Sequence, residues 1–272
     1  MDMQQQQIIS ALGVSQQFDA QQEIDRRVDF LASYLEASGQ HAYVLGISGG
    51  VDSTVAGRLG QLAVEKLRNR GRPATFHAVR LPYREQQDEQ DAQAALNFIR
   101  ADEVSTVNIH STVEALRGVI GNAHYRDANH EDFVVGNMKA RARMVVQYAI
   151  AGAQGGLVIG TDHAAEALMG FFTKFGDGAA DVTPLAGLNK RRVRGLGQTL
   201  GAPSQLVGKR PTADLESLAP QKADEDVFGM SYDTIDDFLE GKKIEQAAFD
   251  KIVRIYHQTQ HKRELPVAPP SL

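Results

Sequence analysis

The 272-residue chain contains no cysteine. That excludes disulfides, thiolate zinc sites, iron–sulfur clusters and every mechanism built on a catalytic thiol. The same absence fits a reducing compartment, and the chain reads as cytoplasmic. A basic excess is also missing: 29 Lys+Arg stand against 34 Asp+Glu, a net charge of −5. A protein devoted to gripping nucleic-acid phosphates calls for a basic face, so no nucleic-acid partner is expected. No apolar run approaches the roughly 20 residues of a membrane span, and Met1 to Ser10 holds four glutamines in place of a basic start and an apolar core. No membrane partner is expected either. The remaining composition, 42% hydrophobic and 23% charged, is ordinary for a folded protein, read as one domain over residues 1–272.

Hydrophobic spacing then sets the order of elements. Ile24, Val28, Leu31 and Leu35 mark an amphipathic helix. His41 to Ser48 reads as a buried strand entering a glycine turn, followed by a helix carrying Val55, Leu59, Leu62 and Leu67. Thr75–Leu81 and Val104–Ile109 read as further strands around a polar helix from Glu85 to Arg100. A helix over Asp132–Ala151, with Met138, Ala142, Val145 and Ala149 on one stripe, precedes a fourth strand at Gly155–Gly160. Such alternation predicts an α/β fold, a parallel β-sheet flanked by helices. Beyond Glu166 the period weakens. Residues 173–189 and 208–226 read as flexible functional loops, with a helix at Lys190–Leu200 and a short strand at Gln205–Val207 between them. Ile244, Ala248, Ile252 and Ile255 define a last helix, before a proline-rich tail.

The turn Ser48-Gly49-Gly50-Val51-Asp52-Ser53 stands at the carboxyl end of a strand and the start of a helix. Glycines there let backbone N–H groups converge on an anion, helped by the helix dipole. A capped tight turn is the plain alternative. Fixing Ser, Gly, Gly, Asp and Ser in this register arises by chance in on the order of a few in ten thousand chains of this length. The loop lacks the lysine of GxxxxGK[ST], which occurs nowhere in the chain, and no GxGxxG is present. Kinase-like γ-phosphoryl transfer and dinucleotide redox chemistry are therefore disfavoured.

Gly46 to Ser53 resembles the pyrophosphatase loop of the ATP-pyrophosphatases. The stretches Gly136–Met144, Gly160–Glu166, Thr173–Asp181, Pro184–Lys190, Pro211–Glu216 and Asp224–Asp233 resemble, in order, those of the ammonia-dependent NAD synthetases. The resemblance implies a Rossmann-like fold of the adenine nucleotide alpha-hydrolase type. It also implies amidation of deamido-NAD by ammonia, with ATP as co-substrate, through an acyl-adenylate that releases AMP and pyrophosphate. It implies that Gly46, Ile47, Ser48, Gly49, Gly50, Val51, Asp52 and Ser53 contact ATP, with Thr161, Lys190 and Thr212. Arg141, Lys174, Asp181, His261 and Lys262 match positions that hold the dinucleotide, and Asp52 and Glu166 match ligands of Mg2+. Asp177 is placed by analogy as the group that orients or deprotonates ammonia. A homodimer is implied as well, with the helix around Arg141 at the junction.

Plainer readings exist for single residues. Lys190 with Arg191, Arg192 and Arg194 reads alone as a solvated helix face, and Asp224-Glu225-Asp226 as a solvated run rather than a metal site. Arg143 falls on another side of its helix from Arg141 and need not share its role. Two other functions compete: a tRNA-modifying ATP-pyrophosphatase, and a non-catalytic nucleotide-binding module. Paired carboxylates at Asp52 and Glu166 argue against the module.

Overall fold

The computed structural model describes residues 2–84, 89–121, 124–213, 215, 218 and 222–269. Helices α1 (Met3–Ala11) and α2 (Ala20–Ala37) lead into β1 (Ala42–Gly46), α3 (Val51–Asn69), β2 (Thr75–Arg80), α4 (Glu89–Ile99) and β3 (Glu103–Thr106). Next come α5 (His110–Ile120), α6 (Ala128–Gln154), β4 (Gly156–Val158), α7 (Ala164–Met169), α8 (Lys190–Thr199) and α9 (Ser204–Val207). The chain continues through β5 (Thr212–Ala213), β6 (Lys222–Ala223), α10 (Asp224–Phe228), α11 (Tyr232–Leu239), α12 (Gln246–Gln258) and α13 (Gln260–Arg263).

Strands β1 to β4 form one parallel sheet in the order β3-β2-β1-β4. Side chains alternate across it: Tyr43, Leu45, Phe76 and Ala78 join a core with α2, α3, α4 and α8, whereas Val44 and Val79 join one with α5 and α6. Strands buried on both faces are what βαβ crossovers produce. A third core, from Ile8 and Ile9 to Ile235, Phe238 and Ile252, packs α1, α7, α11 and α12 together. The chain leaves β1 toward β2 and β3, then returns to the opposite side of β1 at β4. Crevices at such a switch point, beyond the strands' carboxyl ends, are where open α/β sheets hold ligands.

Several expectations need correction. Gln205–Val207 lies in a one-turn helix, closed by Leu206 and Val207 N–H groups on the Pro203 carbonyl at 2.9 and 3.2 Å. Three residues are too few to separate strand from helix by period, and burial of Leu206 and Val207 suits both. The third strand covers Glu103–Thr106, although Val107 and Ile109 still donate to Arg80 and Pro82 at 2.8 and 2.9 Å. The predicted loop 208–226 contains the antiparallel pair β5–β6 and the start of α10. Asp214, Glu216, Ser217, Ala219, Pro220 and Gln221 of that loop lie outside the described residues. So do residues 85–88 at the start of the predicted polar helix, and Pro270 in the tail. Helices α1, α5, α7 and α11 were not legible in the pattern. None of the described helices is long and apolar enough to cross a membrane.

Candidate active site

The turn after β1 is built around one backbone angle. Gly49 adopts φ +87°, and a Cβ there would lie 2.8 Å from the Ala92 nitrogen in α4. Only glycine accepts both the left-handed conformation and this close approach. Ser48 Oγ lies 3.1 Å from Ser53 Oγ and accepts from the Gly50 N–H at 3.2 Å, which ties the loop to the first turn of α3. Gly50 is the N-cap of α3 and supplies no side-chain cap. The first-turn N–H groups are thus left for an anion.

Beside this loop lies a cavity of about 550 Å3. It is bounded by Gly46, Ile47, Ser48, Gly50, Val51, Asp52 and Ser53, and by Thr161, Glu166, Asp177, Lys190, Thr212 and Lys262. Other residues expected at the site lie elsewhere. Gly49 shapes the turn from behind. Arg141 is exposed and donates to the Lys174 carbonyl at 3.3 Å, while the Lys174 ammonium donates to the His261 carbonyl. The three thus form one contiguous surface patch. Asp181 extends the sheet, its carboxylate accepting from the Val158 N–H at 2.7 Å and its own N–H donating to the Val158 carbonyl at 2.9 Å. On α6 the arginine that lines the cavity is Arg143, whose Nε donates to the Leu81 carbonyl at 3.0 Å. Gln147, four residues on, accepts from the Gly46 N–H at 2.7 Å. Lys139, Arg143 and Gln147 share a helical face by their four-residue spacing, a signal available in the sequence.

The centre of the site is a buried charge cluster. Helix α8 is pinned at its start: Asn189 Oδ1 accepts from the Arg192 N–H at 2.9 Å, and Asp236 accepts from the Lys190 and Arg191 N–H groups at 3.1 and 2.7 Å. This directs Lys190 inward, where it is 2% exposed and its Nζ lies 2.7 Å from Asp52 Oδ2. The expectation of a solvated basic face holds for Arg191, which pairs outward with Asp233, Asp237 and Glu240, and fails for Lys190. His163, absent from the sequence reading, caps α7 and sets its Nε2 3.6 Å from both Asp52 Oδ1 and Glu166 Oε2. Ligand atoms of Asp52, His163 and Glu166 all fall within 4.8 Å of one another.

The electrostatics follow from burial and neighbours. Burial opposes the Asp52 charge, yet Lys190, His163 and Arg194 together hold the carboxyl below its ordinary value. Burial and then Asp52 raise the Glu166 carboxyl well above its ordinary value. Burial, reinforced by Lys190, drives the His163 imidazole down to about 3, so it is neutral near physiological pH. Burial also raises Asp177, and burial followed by the Asp177 charge pushes Asp162 up to about 7.

Asp162 yields a pH prediction. Its carboxyl titrates near 3.8 when unperturbed and near 7 when folded. Between those values the folded chain holds a proton the unfolded chain has lost, so stability falls as pH rises through that window. Ligand-free wild type is expected to lose more thermal stability between about pH 5 and pH 8 than Asp162→Asn. Parallel melting profiles for the two proteins would show that Asp162 does not titrate in this way.

The far end of the chain closes the wall. Lys262 Nζ donates to the Gly170 and Phe172 carbonyls at 2.8 and 2.9 Å, and Arg263 donates to the Ala167 carbonyl at 2.8 Å.

A parallel sheet whose switch-point crevice holds a lysine-free Gly-Gly loop beside paired carboxylates defines an α/β nucleotide-binding protein of the pyrophosphatase-loop kind. The NAD synthase family model matches residues 23–266. The chain belongs to the NAD synthase family. It is 60% identical to an NH(3)-dependent NAD(+) synthetase of Streptomyces coelicolor, over 97% of both chains. The solved NAD+ synthetase of Burkholderia pseudomallei superposes with a TM-score of 0.83 at 54% identity, over 96% of each chain. An NMN synthetase of Francisella tularensis superposes with a TM-score of 0.80 at 34% identity, over 93% of this chain and 99% of that one.

Proposed function

We propose that this protein is a ligase of NAD biosynthesis that amidates deamido-NAD with ammonia, using ATP and releasing AMP and pyrophosphate. The observation that carries the reading is the convergence of the Gly49–Gly50 turn, Asp52, Glu166 and Lys190 on one cavity, in a chain 60% identical to an NH(3)-dependent NAD(+) synthetase. The lower identity to the NMN synthetase favours the dinucleotide as substrate.

The chemistry follows from the reactants. A carboxylate resists attack by ammonia because it is anionic and lacks a leaving group. One oxygen of the nicotinate carboxylate therefore forms a bond to the α-phosphorus of ATP, and the bond from that phosphorus to the bridging oxygen breaks. Pyrophosphate leaves toward the loop, where the first-turn N–H groups of α3 and the hydroxyls of Ser48 and Ser53 donate to its growing charge. Lys190 and Thr212 complete the phosphate surroundings, and Thr161 contacts the nucleotide at the end of β4. Ammonia then attacks the acyl carbon, AMP departs with the transferred oxygen, and the surplus proton passes to Asp177, whose raised affinity for protons suits a base. Lys262 in the cavity wall and the patch of Arg141, Lys174 and His261 next to it hold the dinucleotide.

Mg2+ fits the buried acids. Asp52 Oδ1 is buried with no hydrogen-bond partner among the described residues, and burial with the neighbouring Asp52 raises the Glu166 carboxyl above its ordinary value. Hard carboxylate oxygens of this kind suit a small divalent cation, so Asp52 and Glu166 would hold Mg2+, with His163 alongside. Such an ion supplies charge neutralisation of the triphosphate.

The working unit in this reading is a homodimer joined through α5 and α6. Leu116, Val119, Phe133 and Val145 leave large apolar side chains exposed on these helices, Val119 at 87%, and such concentrations mark protein interfaces. Sedimentation is expected to give twice the 29.7 kDa chain mass, and Val119→Glu with Val145→Glu to give monomers. A wild-type monomer would refute the assembly. The lack of cysteine agrees with a cytoplasmic setting.

The function is tested by product analysis. AMP and pyrophosphate are expected only when ATP, deamido-NAD and ammonium are all present, and 18O placed in the nicotinate carboxylate is expected in AMP. AMP that never carries the label would overturn the acyl-adenylate route.

A further inference from the structure

Lys190 occupies the place a divalent cation needs. Its ammonium sits on Asp52 at 2.7 Å, and three carboxylates act on it: Asp52, Glu166 and Asp224. When a cation is held by Asp52 and Glu166, both of those are taken. A buried ammonium without a counter-charge is strongly destabilising, so until a nucleotide's phosphates reach it the displaced side chain requires an acceptor.

Asp224 has the features of that acceptor. It is 5% exposed, it borders the same cavity, and its Oδ1 is buried with no hydrogen-bond partner among the described residues. Its other oxygen is fixed by the Tyr232 hydroxyl at 3.0 Å. The ring of Tyr232 in turn faces the Lys190 ammonium, 5.1 Å from Nζ to the ring centroid. An ammonium over an aromatic face is attracted to it, which gives Lys190 a favourable surface along which to pass from one carboxylate to the other. The Asp224 N–H donates to the Pro211 carbonyl at 3.2 Å, next to Thr212. The acceptor is thereby tied to the β5–β6 pair bordering the phosphate region.

We propose that Asp224 is a positioning residue that receives the Lys190 ammonium when a divalent cation takes its place on Asp52, an inference that rests on the cation site proposed above. Lys190 is then a resident counter-ion of the metal-free site, and its transfer to Asp224 frees Asp52 without leaving a buried charge unpaired. The field of Lys190 on Asp224, which counters the effect of burial there, agrees with this arrangement.

The test is Mn2+ titration of the nucleotide-free enzyme by electron paramagnetic resonance. Removing the acceptor lowers the population of the cation-competent state, and apparent affinity falls in proportion. Asp224→Asn is expected to weaken Mn2+ binding roughly tenfold in wild type. In a Lys190→Met background the same change is expected to have no effect, because no ammonium needs rehousing. Tyr232→Phe, which keeps the ring and releases Asp224, is expected to weaken binding about threefold, again only when Lys190 is present. It carries the test if Asp224→Asn does not fold. An equal loss in both backgrounds would mean that Asp224 acts on the cation directly, and would overturn the proposal, as would no loss in wild type. Absence of Mn2+ binding to wild type would instead overturn the cation site itself.

Discussion

Asp52→Asn is expected to lower kcat/KM for ATP by roughly three orders of magnitude while leaving the protein folded. The two halves of this expectation have different causes. Asp52 offers one oxygen to Lys190 and keeps a second, buried one without a hydrogen-bond partner among the described residues, beside Glu166 and His163. An amide in its place removes the charge that a cation at the triphosphate needs, and substitutes a donor for one acceptor. The fold is protected because, after burial, the repulsion of Asp52 is the main cause that raises the Glu166 carboxyl. Once that repulsion is gone, Glu166 ionises more readily and replaces Asp52 as the counter-charge of Lys190. Initial rates of AMP formation across a magnesium series, with melting curves on the same samples, separate the two effects. Activity within tenfold of wild type would remove Asp52 from the reaction, and collapse of the fold would contradict the role given to Glu166.

Gly49→Ala is the second large effect, and it acts through the backbone. Alanine at φ +87° is strained before any neighbour is considered, by about 1–3 kcal/mol. The new methyl would also stand 2.8 Å from the Ala92 nitrogen and 3.1 Å from its Cα. These belong to the backbone of α4, which cannot turn aside as a flexible side chain does. Either α4 moves or the turn flips, and flipping redirects the N–H groups that face the cavity. A fall in Tm of several degrees and a rise of about 10- to 100-fold in KM for ATP are expected. Gly50→Ala is the stability control. Gly50 is the extended N-cap at φ −79°, and its added Cβ meets only Ser48 Oγ at 3.4 Å. A wild-type Tm for Gly50→Ala beside a lowered one for Gly49→Ala locates the strain at a single dihedral angle. Equal losses would assign it to bulk in the loop.

The sheet and its loop were legible because their signals are local. Tyr43, Val44 and Leu45 fill both faces of β1, and Ser48 to Ser53 compress a strand end, a turn and a helix start into six residues. The charge cluster was not, because burial of an ionised side chain depends on partners far away in the chain. Lys190 is 138 positions from Asp52, and nothing within the run Lys190-Arg191-Arg192-Arg194 tells which member turns inward. The helix distributes them: Lys190 goes to the cavity, Arg191 to an exterior ion network, and Arg192 to the Ser15 carbonyl at 2.6 Å. Asp224 repeats the lesson. In a run of three acids it reads as solvated, whereas the fold buries it against Tyr232 and leaves Asp226 outside with Arg210. Arg143 is different, since its four-residue spacing from Lys139 and Gln147 carries the information locally.

The bonds from Lys262 and Arg263 to the carbonyls of Ala167, Gly170 and Phe172 bear on how the enzyme comes into being. Chains emerge from the ribosome beginning with their amino-terminal end. The loop after β1 is therefore translated well ahead of the residues that finish its opposite wall, which follow every strand of the sheet. A nascent polypeptide can assemble its sheet long before it possesses a complete reaction chamber, so catalytic competence awaits the stretch that carries Lys262 and Arg263.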